Sequence, residues 1–272
     1  MKICYNKNNT SFRILERNDF MKYDAQLCRL VSKKQLTPTI YDFRLENKAL
    51  ATVAKAGQFA HVFVPGKTLR RPISICDAEN DCLRLVFEIR GAGTEQLAQT
   101  KEGEYLDVLA PLGQGFSIDP NKKTIFVGGG IGVPPMLYSV KTQGGNSVAI
   151  LGFRNQSAVI LEDDFKAVSG KVIVTTDDGS YGLHGFVTQP LAEEIKTAEM
   201  VCACGPMPML KRIAALAKEH NVPCQVSLEE RMACGIGACL GCAVMVNRKD
   251  GTQGYKHVCK NGPVFNAEEV VW

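Results

Sequence analysis

No stretch of this sequence approaches the ~20 consecutive apolar residues needed to cross a bilayer, so a membrane-spanning role is not expected. Met1 to Phe20 are polar and lack the apolar run of a secretory leader, and the compartment expected from this is cytoplasmic and reducing. There is no block of like charge. The 32 Lys and Arg against 28 Asp and Glu leave a net charge of +4, with the basic residues scattered. Neither a nucleic-acid-binding stripe nor a polybasic membrane patch follows from that distribution. Internal repeats and low-complexity tracts are missing, which excludes a repeat array. Only four histidines occur. His61, His184, His220 and His257 have no recognisable partner, read as structural or exposed, and nominate no general base.

Cysteine, by contrast, is plentiful. Eleven cysteines are an odd number, which fits a closed disulfide framework poorly, and in a reducing compartment clustered thiols point to metal or redox chemistry. With 272 residues, 45% hydrophobic and 22% charged, the chain has room for two compact domains with sizeable cores and a small third module.

Its pattern changes twice. Short apolar segments at Tyr41–Leu45, Phe59–Val64, Ile73–Cys76, Leu83–Ile89 and Tyr105–Leu109 are separated by Gly, Pro, Asn or Asp, the spacing of an antiparallel β barrel or sandwich. From about Pro120, buried-strand candidates at Thr124–Val127, Val148–Phe153, Val172–Thr176 and Met200–Ala203 alternate with helical spacing. The helical stretches begin near Pro134 and recur at Leu161–Val168, Val187–Ile195 and Met207–His220. That alternation predicts an α/β doubly wound parallel sheet. From Gln225 the regular pattern dissolves and cysteines crowd together.

Cys234, Cys239 and Cys242 have the spacing C-x4-C-x2-C, and Cys259 follows after sixteen intervening residues. This is the ferredoxin arrangement for a [2Fe–2S] cluster. Three thiolates in one short loop must converge on two irons, and Gly235, Gly237 and Gly241 supply the backbone freedom that convergence requires. A structural zinc site would more usually show two C-x2-C pairs, and here there is one. The metal ligands expected are therefore Cys234, Cys239, Cys242 and Cys259.

Two further motifs precede the cysteines. Arg70-Arg71-Pro72-Ile73-Ser74 falls on a predicted strand, with Gly91-Ala92-Gly93-Thr94 opening a helix downstream. A cation beside a helix N-terminus makes a pyrophosphate site. Gly128-Gly129-Gly130-Ile131-Gly132-Val133-Pro134-Pro135 lies between a strand and a helix, where backbone amides can approach a second pyrophosphate. It lacks the G-x-G-x-x-G spacing, so the Rossmann fingerprint does not apply.

At these residues the chain resembles the ferredoxin-reductase superfamily. The resemblance implies FAD on Arg71, Pro72, Ile73 and Ser74, with Arg71 on its phosphate and the Ser74 hydroxyl near the flavin N5. Phe87, Glu88, Gly93 and Thr94 would line the same cofactor. It implies NAD on Gly128, Gly129, Gly130, Ile131, Gly132 and Pro134, with Gly205, Pro206 and Met207, and Cys204 as the catalytic cysteine beside nicotinamide and flavin. Asp177, in Asp177-Asp178-Gly179-Ser180, would repel a 2′-phosphate and so favours NAD over NADP, although Arg154 could accept that phosphate.

The order of the three modules adds a closer likeness. The chain is similar to the electron-transfer subunits of NAD-linked dihydroorotate dehydrogenase B, where Pro-Ile-Ser is the usual flavin sequence. By that resemblance residues 1–22 are an N-terminal extension, 23–118 the FAD-binding antiparallel β barrel, 119–224 the NAD-binding α/β domain and 225–272 the [2Fe–2S] module. The implied partner is an FMN-containing catalytic subunit in a heterotetramer of two plus two, with neither nucleic acid nor membrane involved. Electrons would pass from that FMN through the cluster and FAD to NAD, in pyrimidine biosynthesis. Two alternatives stay open here. One is the small flavin subunit of a ferredoxin-linked NAD(P)H oxidoreductase, a sulfide dehydrogenase or a hydrogenase diaphorase. In the ferredoxin-linked oxidoreductase and sulfide dehydrogenase group the first ligand is commonly Asp where this chain has Cys234, whereas a hydrogenase diaphorase can keep four cysteines. The other is a non-catalytic iron–sulfur redox sensor.

Overall fold

A computed structural model describes residues 24–272; the expected N-terminal extension, residues 1–22, lies outside them. The first unit is a closed six-stranded antiparallel barrel. Its strands are β1 (Gln26–Gln35), β2 (Ile40–Glu46), β3 (Phe59–Val62), β4 (Arg71–Glu79), β5 (Cys82–Glu88) and β6 (Tyr105–Leu112), ordered β1-β2-β5-β4-β3-β6. Two short helices, α1 (Lys48–Val53) and α2 (Ala92–Leu97), fill the connections. Alternation drives the closure. Along β2, Ile40, Asp42, Phe43 and Leu45 are buried while Tyr41 and Arg44 lie partly open, as a one-sided strand demands.

Strand β1 was not foreseen from the apolar runs. It turns only Cys28 and Leu30 fully inward and carries polar Lys33, Lys34 and Gln35 at its end, so its apolar signal is thin. Pairing with both β2 and β6 makes it the strand that shuts the barrel.

The second unit is built on a parallel sheet. It comprises β7 (Thr124–Gly129), α3 (Val133–Gln143), β8 (Ser147–Phe153), α4 (Glu162–Val168), β9 (Lys171–Thr176), β10 (Leu183–His184), α5 (Thr188–Glu194), β11 (Met200–Cys204), α6 (Met207–Glu219) and β12 (Cys224–Ser227). Every residue of β7 is buried, the signature of a strand covered on both faces. Helix α3 begins with Pro134 and Pro135 in its first turn, where a missing N–H costs nothing. Helix α6 buries Leu210, Ile213, Ala214 and Ala217, a helical i, i+3, i+4, i+7 stripe.

The cysteine-rich end is stitched into this sheet. Its own hairpin, β13 (Ala243–Asn247) with β14 (Gln253–His257), leads through α7 (Val258–Asn261) to β15 (Val264–Asn266). Strand β15 then pairs antiparallel with β12, completing a seven-stranded order β10-β9-β8-β7-β11-β12-β15. A three-residue strand with two apolar residues, Val264 and Phe265, could not announce this edge, because register with a distant strand is a tertiary fact.

Barrel and sheet are also joined. Helix α3 packs against β4 of the barrel as well as β7 and β8, and Lys141 at its end bonds Asp77 of β4 at 2.9 Å. Arg84 of β5 donates to Asp42 of β2 at 2.8 Å and also to Asp164 of α4. None of the helices among the described residues is long and apolar enough to cross a membrane.

Candidate redox and nucleotide site

Parallel strands deliver their loops to one edge, and ligands of open α/β sheets sit beyond the strand C-termini. Here a cleft of ≈ 790 Å³ opens at that edge, between the sheet and the β1–β2 turn of the barrel. Gly129, Gly130, Ile131, Gly132, Asp177, Gly205 and Pro206 line it, as do Arg154, Phe186 and Arg212. The Arg212 guanidinium lies over the Phe186 ring at 5.8 Å. Gly128, Pro134 and Met207 are not on this wall. Gly128 packs on Val133, where a Cβ would stand 2.8 Å from its Cα. Pro134 is buried within α3, and Met207 is 42% exposed at the start of α6.

Cys204 ends β11 in register with Gly128 of β7 and Ser227 of β12. Its side chain is buried behind the cleft floor, and its carbonyl blocks the space a side chain at Gly132 would need. Burial pushes its thiol up to about 12; the nearby Glu229 carboxylate adds to this and a hydrogen bond with Ser227 opposes it. At neutral pH it is a thiol, a small polarisable surface rather than a nucleophile.

A second, smaller cavity of ≈ 200 Å³ lies on the barrel side. Pro72, Ile73, Ser74, Phe87, Glu88 and Thr94 line it together with Phe59, Met232 and Pro263. Ile73 also contributes to the barrel core. Arg71 and Gly93 stand together beside it, the guanidinium lying in the space a Gly93 side chain would take. Of the described residues, Glu88, Arg90, Ile131 and Glu229 border both cavities. The two spaces therefore adjoin. Arg90 holds Glu88 at 2.8 Å and approaches Glu229 at 3.8 Å. Glu229 keeps about half its side chain in solvent, and partial desolvation at the cleft raises its carboxyl above the ordinary value, with Arg90 opposing and Glu88 adding to the rise. The sequence assigns no role to Arg90 or Glu229; only the approach of β5 to the loop after β12 reveals one.

The four motif cysteines influence one another in two pairs: Cys239 acts on the Cys234 thiol and Cys242 on that of Cys259, and the Cys259 N–H points to Cys242 Sγ at 3.5 Å. Among the described residues no group of three His, Cys, Asp or Glu is placed to hold a single metal ion. A binuclear cluster asks for less, since each iron takes two thiolates and shares two sulfides with the other. Backbone donors are already aimed at the sulfurs. Gly237 N–H points to Cys259 Sγ at 3.1 Å and Ala238 N–H to Cys234 Sγ at 3.3 Å. Burial would raise the Cys234 thiol, but the N–H of Ile236, the Cys239 side chain and the N–H groups of Cys239 and Ala238 outweigh it and bring it down to about 6. Cys259 is pushed up to about 12 by burial and by Cys242, with Gly237 opposing. One thiol of the set thus ionises readily, which suits metal capture.

Gly235 and Gly237 hold φ of +73° and +80°, a left-handed backbone that side chains resist. Gly237 is also pressed by Lys260, whose Cβ would lie 2.9 Å from an added Cβ. The loop is open outward: Leu240, between Cys239 and Cys242, is 75% exposed. Inward it borders the smaller cavity at both ends, through Met232 just before Cys234 and Pro263 just after Cys259.

Residues 229–271 match the iron-sulfur cluster binding domain of dihydroorotate dehydrogenase B. The chain is 42% identical over 246 residues to the dihydroorotate dehydrogenase B (NAD(+)) electron transfer subunit of Caldanaerobacter subterraneus subsp. tengcongensis, covering 90% of this chain and 97% of that one. The chain belongs to this electron transfer subunit family. The Enterococcus faecalis member is 40% identical over 267 residues, covering 92% of this chain and 100% of that one. Among solved structures, the family shares its fold with an NADH-dependent reduced ferredoxin-NADP oxidoreductase studied for flavin-based electron bifurcation. That match has a TM-score of 0.82 and 30% identity, over 91% of this chain and 90% of that one. A ferredoxin NADP+ reductase from Neisseria gonorrhoeae, with bound FAD and NADP, shares the fold at a TM-score of 0.60 and 18% identity, over 72% and 91%.

Proposed function

We propose that this chain collects electrons at the Cys234–Cys259 loop and delivers them as a hydride to NAD. It would serve as the electron-transfer subunit of a dihydroorotate dehydrogenase in pyrimidine biosynthesis. When bound, the [2Fe–2S] cluster supplies one-electron transfer, FAD couples one-electron to hydride steps, and NAD takes the hydride. The chain's own residues position and insulate these groups.

The observation that carries this reading is contiguity. The cluster loop borders the smaller cavity through Met232 and Pro263, and that cavity adjoins the nucleotide cleft, the two sharing Glu88, Arg90, Ile131 and Glu229. Arg71 beside Gly93 would hold FAD phosphate, with Ser74 and Phe87 along the ring. Gly129 to Gly132 would admit the NAD pyrophosphate, and the Phe186–Arg212 pair offers a flat surface to an adenine ring. Asp177 on the cleft wall favours a free ribose hydroxyl, hence NAD over NADP. Cys204, kept protonated behind the floor, supports a nicotinamide ring without reacting with it.

The partner is an FMN-containing catalytic subunit, in an assembly of two plus two within the cytoplasm. Its docking face centres on Leu240, the exposed apolar residue beside the outer cysteine pair. Anaerobic NADH titration of the flavin-loaded chain should bleach the flavin before the cluster. Co-purification with the FMN subunit should then give dihydroorotate-dependent NAD reduction. A chain that binds no flavin, or a complex that reduces ferredoxin but ignores dihydroorotate, would overturn the assignment.

A further inference from the structure

His61 sits where the barrel meets the cluster loop, and nothing in the reaction outlined above uses it. It lies on β3, opposite Pro72 of the flavin motif and beside Leu109 of β6. Its side chain is 0% exposed, yet neither Nδ1 nor Nε2 has a hydrogen-bond partner. A buried histidine normally satisfies at least its N–H. Nδ1 presses against Gly235, filling the space a side chain there would occupy, with Cε1 3.1 Å from the same point. Residue 235 directly follows Cys234. Burial first, then the positive charges of Arg70 and Arg71, with the Arg70 backbone opposing in part, lowers the ring to about 4, so it is neutral at physiological pH with one N–H to give.

We infer that His61 donates a hydrogen bond across Gly235 to a sulfur of the [2Fe–2S] site held by Cys234. The inference rests on the cluster reading given above. Two features support it together. The orphaned ring nitrogen faces the loop, and the loop residue it meets is a glycine held left-handed, next in sequence to the ligand Cys234, where any side chain would collide with the ring. The acceptor arises only once thiolate and sulfide carry charge, which accounts for a donor with no partner among the protein groups. A hydrogen bond to cluster sulfur favours the more negative, reduced state and so raises its potential. His61 would then set the step between the cluster and the flavin bound beside Phe59, Pro72 and Ser74, which lie on the same face of β3–β4.

The test uses the full chain with its cluster and FAD. In ¹⁵N-histidine-labelled wild type, pulsed EPR of the reduced cluster should show a weak coupling to a histidine nitrogen. It should vanish in His61→Asn and persist in His257→Asn, which controls for the histidine near Cys259. In redox titration, His61→Phe should lower the cluster midpoint, by about a tenfold change in the reduced-to-oxidised ratio, ~59 mV for one electron. His61→Asn, which keeps an N–H, should recover most of it, and the FAD midpoint should stay put in both. A bound cluster without histidine coupling, or equal cluster potentials in wild type and His61→Phe, overturns the inference while leaving the relay intact. A wild-type chain that holds no cluster at all overturns both.

Discussion

The Arg71 guanidinium lies across the first turn of α2, in the space that a side chain at Gly93 would fill. Strand β4 thus hands a fixed cation to a helix start, and the pair reads as a phosphate clamp. Gly93→Ala should push Arg71 aside and weaken FAD binding by roughly tenfold, about 1.4 kcal/mol, with the barrel still folded. Arg71→Ala should weaken it similarly. Fluorescence titration of the deflavinated chain measures both; unchanged FAD affinity would remove Arg71 from the site.

Gly237 carries a second geometric demand. Its φ of +80° and the Lys260 side chain against it leave no room for a Cβ, and left-handed backbone costs a non-glycine residue about 1–2 kcal/mol. Gly237→Ala should lower iron and sulfide content per chain while FAD content holds, as read by metal and flavin analysis. Full cluster occupancy in that variant would show the loop to be looser than its geometry.

Cys204 should behave as an inert thiol. With its ionisation pushed up to about 12 against the ordinary cysteine value, only about 1 in 10⁴ molecules carries the thiolate at pH 8. The sign is that of an acid held protonated, so reactivity stays low from pH 5 to 9 and rises only beyond. Mass spectrometry after iodoacetamide treatment should find Cys204 unmodified in the folded chain and modified in denaturant. Cys204→Ala should slow NADH-dependent flavin reduction without loss of bound FAD.

Arg84 pairs with buried Asp42 inside the barrel and joins the barrel to the α/β unit through Asp164 of α4. Removing one partner of a buried pair strands the other charge, at a cost of about 3–5 kcal/mol. Arg84→Met should therefore lower thermal stability sharply, with Asp42→Asn in the same background recovering part of it. Asp164→Asn, at a partly exposed position, should cost much less. Calorimetry of the variants distinguishes these outcomes.

The chemistry-bearing motifs were legible because each is local. Cysteine spacing, the Arg71–Ser74 run and the Gly128–Gly132 turn need only neighbours in sequence to be recognised, and the alternating periods of β2 and α6 declare their buried faces. Strand β1 was missed because two inward residues make too faint a signal, and β15 because two apolar residues, Val264 and Phe265, say nothing of the strand they will join. Arg90, Phe186, Arg212 and Glu229 carried no assigned role in the sequence, since they line one cleft only where β5, α6 and the loops before α5 and after β12 converge. His61 shows the same limit. Its sequence marks it as one more histidine, and only folding withdraws it from water and sets it against Gly235. Local covalent order determined which groups this protein could bring to bear. Long-range pairing and burial decided which of them face one another, because contact between distant segments is set by register and packing rather than by spacing along the chain.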